Sequence, residues 1–222
     1  MNYLSILGVI LTIVILYYLL KYIFSDDRLT TTNNAKDQIV INKSNIDQTS
    51  KSNFTYSIWT YLDDWNYRFG EEKYIITRHN SFSMMFDKEE NNLKINVNLA
   101  SDHNLVHTCI VDDIPLQKWV NILVSIYDRS MDVYINGKLV KTCILENVAN
   151  SKGQTNIDIT PNGGFSGHTA SFRYIGDATN PEEAYNIYKK GADSSILVSL
   201  LNKYRFKLEF LKDNKTLTSF EI

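Results

Sequence analysis

The chain has no excess of either charge: 23 Lys and Arg stand against 25 Asp and Glu in 222 residues, a formal net charge of −2. No Lys/Arg cluster and no RNA-binding signature breaks that balance, so recognition of nucleic acid through its phosphates is excluded. Internal repeats and low-complexity tracts are lacking, which excludes a solenoid. There is no G-x-S-x-G elbow for a serine nucleophile. The four histidines, His79, His103, His107 and His168, are scattered, with no spacing that would converge on zinc. Cysteine is limited to Cys109 and Cys143. What is present is a core: 44% hydrophobic and 12% aromatic content exclude general disorder.

The N-terminus differs in kind from the rest. From Tyr3 to Phe24 the polar interruptions are Ser5, Thr12 and Lys21, with tyrosines at Tyr3, Tyr17, Tyr18 and Tyr22. At ~1.5 Å per helical residue this run spans about 33 Å, enough for a hydrocarbon core of ~30 Å. Lys21 can extend toward the headgroups and the tyrosines suit the interface. A cleaved signal peptide needs a shorter apolar stretch and small residues before the cut, and Tyr22-Ile23-Phe24-Ser25 offers none. Residues 1–24 therefore predict a single-pass membrane anchor with the lipid bilayer as its partner. Residues 25–36 predict a polar linker. The flanking Lys21 and Arg28 place the following domain on the cytoplasmic side. The sequons at Asn42, Asn53 and Asn214 would instead be usable only in a secretory lumen. The two signals conflict, and the side stays open.

Residues 37–222 carry strand patterns. Val120, Ile122, Val124 and Ile126 alternate within Trp119 to Tyr127. Asp128-Arg129-Ser130 interrupts, and Met131 to Ile135 resumes. Asn136-Gly137 then supplies a two-residue turn before Lys138 to Leu145 runs back. Asn-Gly between β-branched runs predicts a hairpin, because both turn positions need φ > 0. Phe54 to Leu62 has bulky residues on both faces, which suits the interior of a two-sheet sandwich. Further short strands are expected at Gln38 to Ile41, Lys73 to Arg78, Phe82 to Phe86, Leu93 to Leu99 and Leu105 to Val111.

One helix interrupts the strands. Asn180 caps it, Pro181 takes the first position and Glu183 completes a capping box. Ala184, Ile187 and Tyr188 form an apolar stripe, and Gly191 suits the position after the end. A second helix is expected over residues 194–201. Tyr204 to Leu211 and Thr216 to Ile222 alternate again and predict a C-terminal hairpin.

Phe54-Thr-Tyr-Ser-Ile-Trp59 resembles the early strand of concanavalin A-like, laminin-G-like jelly rolls. Ile114-Pro-Leu-Gln-Lys-Trp-Val120 and Met131-Asp-Val-Tyr-Ile-Asn-Gly-Lys138 resemble their central hairpin. Gly163-Gly-Phe-Ser-Gly167, Phe172-Arg-Tyr174 and Asn180-Pro-Glu-Glu-Ala184 resemble the closing strand and short helix. With the anchor and the cysteines, the whole is similar to the single-pass version encoded by nucleocytoplasmic large DNA viruses. The resemblance implies an all-β, two-sheet antiparallel jelly-roll sandwich. It further implies a non-enzymatic, lectin-like module in a virion membrane that recognises glycan or protein. A structural virion protein without sugar binding is the alternative, with a glycoside hydrolase behind it. Jelly-roll hydrolases resembling laminarinases carry their carboxylates in an E-x-D-x-E-like run, and this chain has none. The adjacent Glu71-Glu72 and Glu89-Glu90 would point to opposite faces of a strand.

Asp63, Asp64, Trp65, Asn66 and Tyr67 combine what a lectin needs: a flat ring for a sugar face, and carboxylate or amide groups for hydroxyls. The opposing expectation is that Trp65 and Tyr67 pack beneath a loop with solvated aspartates. No cofactor is required; Asp177 is the one calcium candidate at a rim, although no compact loop supplies the six to eight oxygens calcium takes. Cys109 and Cys143 lie in similar local sequences. If their strands are neighbours a bridge is geometrically allowed; otherwise they are two buried thiols.

Overall fold

The computed structural model describes residues 11–15, 17–18, 27–46, 52–100, 105–150, 155–192, 207–212 and 215–221. They divide into two compact units, Arg28–Asp193 on the one hand and Met1–Asp27 with Ser194–Ile222 on the other. In the second unit residues 11–15 and 17–18 are helical. Most of the segment 3–24 lies outside the described residues, as do the helix expected over 194–201 and the sequon Asn214. Among the described residues no helix is long and apolar enough to cross a membrane. β13 (Lys207–Lys212) and β14 (Lys215–Glu221) pair antiparallel, Leu208 opposite Phe220.

The unit Arg28–Asp193 is a sandwich of two six-stranded antiparallel sheets. The first holds β1 (Asn33–Asn34), β12 (Ser166–Ile175), β3 (Phe54–Asp64), β8 (Trp119–Tyr127), β9 (Ser130–Ile135) and β10 (Lys138–Ile144), in that order. The second holds β2 (Ile39–Ile41), β11 (Ile157–Ile159), β4 (Lys73–Arg78), β5 (Phe82–Phe86), β6 (Leu93–Asn98) and β7 (Val106–Val111). The central hairpin forms as its sequence dictates. Asn136 and Gly137 take φ of 51° and 72°, the left-handed pair that a two-residue turn between twisted strands requires. Gly137 has a second reason to lack a side chain: a Cβ there would lie 3.0 Å from that of Tyr188.

Alternation sends one face of each strand inward. Tyr56 and Ile58 of β3, Ile122 and Val124 of β8, and Val133 of β9 meet Met84, Ile95, Val97 and Ile157 of the second sheet in one continuous core. Tyr56 stacks on Phe82 across the core at 4.5 Å between ring centroids. The outer face of β3 and β8 in the first sheet is buried too. The helix Pro181–Lys189 lies over it, placing Ala184 and Ile187 against Leu123 and Tyr134, and Tyr188 stacks on Trp59 at 5.6 Å. Its start is fixed by the expected capping box, with Asn180 accepting from the Glu183 N–H and Glu183 from the Asn180 N–H. Small hydroxyls on that face hold the segment leading in: Thr55 donates to the Asp177 carbonyl at 2.9 Å and Ser125 to the Thr179 carbonyl at 3.1 Å.

Residues 28–36, expected as a tether, are built into the sandwich. Asn33 pairs with Thr169 on β12, the Leu29 N–H donates to the Phe172 carbonyl, and Ala35 is buried. Polar composition suggested a linker, but the edge of a sheet accepts polar residues because backbone groups make its contacts.

Cys109 and Cys143 form a disulfide with Cα atoms 6.3 Å apart. Their strands are not hydrogen-bonded neighbours. β7 and β10 are the last strands of opposite sheets on the same side, so the bridge staples the two layers across the open end of the core. Lys141 reinforces the join by donating to the Ile110 carbonyl at 2.6 Å. With the cysteines 34 positions apart in sequence, the chain-entropy account gives about 3–4 kcal/mol of stabilisation. Cys143→Ser is expected to lower the free energy of unfolding by that amount in urea titration under non-reducing conditions. A loss below about 1 kcal/mol would show that the staple constrains little in the unfolded chain.

Candidate functional site

At one end of the sandwich the sharp turn after β3 faces the loops that follow β5 and β7. Asp63 and Asp64 are the last residues of β3 rather than loop residues, and both are exposed. Asp64 folds the chain back on itself by accepting from the Asn66 N–H at 2.9 Å and from its side-chain amide at 3.1 Å. Trp65 turns inward. Its ring meets Phe86 edge-on at 6.2 Å, and the buried Lys73 ammonium lies 4.7 Å from the ring centroid. Burial, followed by the charge of Arg68, pushes the Lys73 pKa down from the ordinary lysine value. Tyr67 donates to the Gly163 carbonyl at 3.3 Å, with the Lys36 ammonium over its ring. The aromatic pair thus anchors the turn, and the aspartates face solvent.

Beside Trp65 is a concavity of about 550 Å³, lined also by Glu89, Glu90, Asn92, Asp113 and Leu116. Of the five residues singled out in the sequence, Trp65 alone lines it; Asp63, Asp64, Asn66 and Tyr67 do not. Its carboxylates come instead from the turn after β5 and the strap after β7, remote in sequence from Trp65. No local motif marks them, because the convergence arises only when the sheet ends are brought together. The Trp65 indole N–H is buried in this wall and has no hydrogen-bond partner among the described residues. A donor left in that state is stabilised by a ligand oxygen or an ordered water.

The turn that supplies Glu89 and Glu90 is organised by Asp87, which accepts from the Glu89 N–H at 3.0 Å and the Glu90 N–H at 3.4 Å. The Glu89 N–H is the main reason that the Asp87 carboxyl is held below the ordinary aspartate range. Asn92 continues the frame, donating to Glu90 at 2.8 Å and accepting from the Asp113 N–H at 3.2 Å.

The calcium candidate is elsewhere. Asp177 accepts from the Ala178 N–H at 2.8 Å, and among the described residues no group of three or more His, Cys, Asp or Glu side chains is arranged to hold a metal ion. Of the sequons within the described residues, Asn42 is exposed ahead of the 3-10 turn Lys43–Asn45. The Asn53 side-chain oxygen accepts from the Asp128 N–H at 2.9 Å. His79 is exposed in the turn after β4, and His168 is exposed on β12.

Residues 33–184 match the Laminin_G_3 family, described as the concanavalin A-like lectin/glucanases superfamily. Comparison with curated protein sequences finds no match. Among solved structures, the receptor binding domain of botulinum neurotoxin mosaic serotype C/D is similar over 71% of this chain and 41% of its own, with TM-score 0.57 and 16% identity. The binding domain of botulinum neurotoxin serotype G is similar over 72% of this chain and 46% of its own, with TM-score 0.54 and 17% identity. The chain thus spans less than half the length of either structure. At such identity the likeness is one of fold.

Asp87→Asn is expected to loosen the turn that frames the concavity and to lower the thermal midpoint at pH 7. Because the folded pKa is depressed, the carboxylate's contribution is complete above the ordinary aspartate value and is lost as pH falls through the folded one. Melting curves of the native and variant proteins should therefore converge as pH drops below about 4. A difference that persists at pH 2 would contradict this role.

Proposed function

The chain belongs to the concanavalin A-like lectin/glucanases superfamily, and we propose that it is a membrane-tethered, non-enzymatic module recognising a glycan or protein receptor. Residues 3–24 are the tether, and the sandwich is carried at the surface of a virion membrane. The observation that carries the reading is the concavity beside Trp65. It combines a ring fixed by core contacts with acceptors of both carboxylate and amide type. That set suits hydroxyl-bearing or amide-bearing ligands, and the Glu90 carboxylate is already positioned by the Asn92 amide at 2.8 Å. The absence of an E-x-D-x-E run favours binding over hydrolysis. A solved structure of which 41% is similar to this chain is named as a receptor binding domain, which is in keeping with a binding role here.

A second reading, a structural virion protein without sugar binding, is favoured by one observation. Leu139, Val140 and Ile144 on β10 are exposed beside Val106 and Ile110 on β7. An apolar strip along stapled sheet edges suits assembly contacts.

Two measurements test the reading. The full-length protein should stay with membranes after alkaline carbonate extraction, and deletion of residues 3–24 should release it; a native chain found wholly in the supernatant refutes the tether. On a glycan and receptor-ectodomain array, the Glu90→Ala/Asp113→Ala double variant should lose about tenfold or more in apparent affinity. Its circular dichroism spectrum should match the native one, since both side chains are at the surface and outside the core. Binding equal to the native protein's refutes the rim as the ligand site.

A further inference from the structure

Two signals in the sequence disagree about the side of the membrane on which the sandwich lies: Lys21 and Arg28 place it in the cytoplasm, and the sequons place it in a secretory lumen. The structure supplies a third. Cys109 of β7 and Cys143 of β10 are joined, and Cys143 is only partly buried, so a reductant in the solvent has access to the bridge. Such a bridge is kept in an oxidising compartment and lost in a reducing one. The charge signal weakens at the same time. Arg28 opens the folded unit Arg28–Asp193, and next to it the Leu29 N–H is bonded to the Phe172 carbonyl. Lys21 is then the single Lys or Arg ahead of that unit. A long domain crosses largely regardless of its own charges.

The fold also sorts the sequons. Asn42-Lys43-Ser44 follows β2, the outermost strand of the second sheet, and each of these residues is exposed. Asn42 has an extended backbone, φ −64° and ψ 141°, and its side chain makes no capping bond to the 3-10 turn Lys43–Asn45. That turn is held through its backbone instead. The Asn45 N–H donates to the Asn42 carbonyl at 2.9 Å, and the Lys43 N–H donates to the Asn156 side chain at 3.0 Å. Buried Ile41 and Ile46 pin the segment on either side, which leaves the Asn42 carboxamide at the surface. Asn53-Phe54-Thr55 runs the other way, into the core. Phe54 and Thr55 are buried, the Asn53 side chain holds the Asp128 N–H, and Thr55 donates to the Asp177 carbonyl.

We infer that the sandwich matures on the lumenal side of a secretory membrane and that Asn42 carries an N-linked oligosaccharide there. The inference rests on the reading of residues 3–24 as the segment that brings the chain to the membrane. In the transfer, Asn42 Nδ2 bonds to the anomeric carbon of a polyprenyl diphosphate-linked oligosaccharide. The bond from that carbon to the diphosphate breaks, polyprenyl diphosphate leaves with the electron pair, and the amide gives up one proton. In the bridge, the Cys109 and Cys143 thiols pass two electrons and two protons to a protein disulfide of the same compartment, which becomes a dithiol. The oligosaccharide stands beside the exposed Val40 and shields the outermost strand from pairing with another chain.

The test is cell-free translation of the full-length chain with closed microsomes. The product should resist added protease until detergent is present, and it should migrate faster after peptide N-glycosidase treatment. Ser44→Ala, which leaves Asn42 in place, should remove one glycan step, and Ser44→Thr should restore it. Position 44 is exposed and outside the core, so both variants keep the fold. A maleimide-bearing polymer should add to the cysteines only after reduction. A chain that stays with the microsomes through alkaline carbonate, yet is digested without detergent, overturns the lumenal placement and leaves the tether intact. Equal glycan counts in the native chain and Ser44→Ala overturn Asn42 as the modified residue. Thiols labelled without reduction overturn the oxidising setting. Release by carbonate refutes the tether alone, and the protease and glycan results then still decide compartment and modification.

Discussion

Burial of β3 and β8 on both faces is the constraint from which the rest of this molecule follows. Their inner faces meet the second sheet, and their outer faces meet the helix Pro181–Lys189 and the segment before it. Backbone groups in such strands cannot reach water, so continuous pairing with neighbours on each side is obligatory. Several short polar side chains on the covered face are paired: Thr55 and Ser125 reach carbonyls of the overlying segment, and the Asn121 amide donates to Ser57 at 3.2 Å.

Covering one outer face determines where ligands can approach. With β3 and β8 capped, the surfaces without such a cover among the described residues include the loop end beside Trp65 and a polar row on the outer face of the second sheet. The two are chemically different. The rim gathers carboxylates and amides on turns whose frame is set by Asp87 and Asn92, so it offers acceptors at fixed positions. The sheet face presents the short polar side chains of Thr77, Ser83, Asn96 and Thr108 in a straight row dictated by strand register. The rim lies at the strand ends and the row on the paired strands themselves.

Much of this was legible in the chain. Asn136-Gly137 announced its hairpin because few residues tolerate two consecutive positive φ values, and Asn180 with Glu183 announced the helix start because the capping box is a local exchange of hydrogen bonds. Bulky residues on both sides of Phe54 to Leu62 signalled a doubly buried strand, although not that a helix would supply the second cover. Three features were hidden for one reason: they depend on which strands lie across from each other. Residues 28–36 join the sandwich through backbone pairing at a sheet edge. Cys109 and Cys143 meet across two sheets rather than between adjacent strands. The rim carboxylates reach Trp65 only through the alignment of sheet ends, so no contiguous stretch such as Asp63 to Tyr67 marks them.

The central claim is that β3 and β8 form the most deeply protected layer because both of their faces are covered. Native-state hydrogen exchange of the full-length protein measures this directly. The account predicts that amides of Tyr56, Ile58, Ile122 and Val124 exchange only through global unfolding, while those of the edge strand β10 exchange through local opening. Exchange in β3 and β8 as fast as in β10 would contradict it.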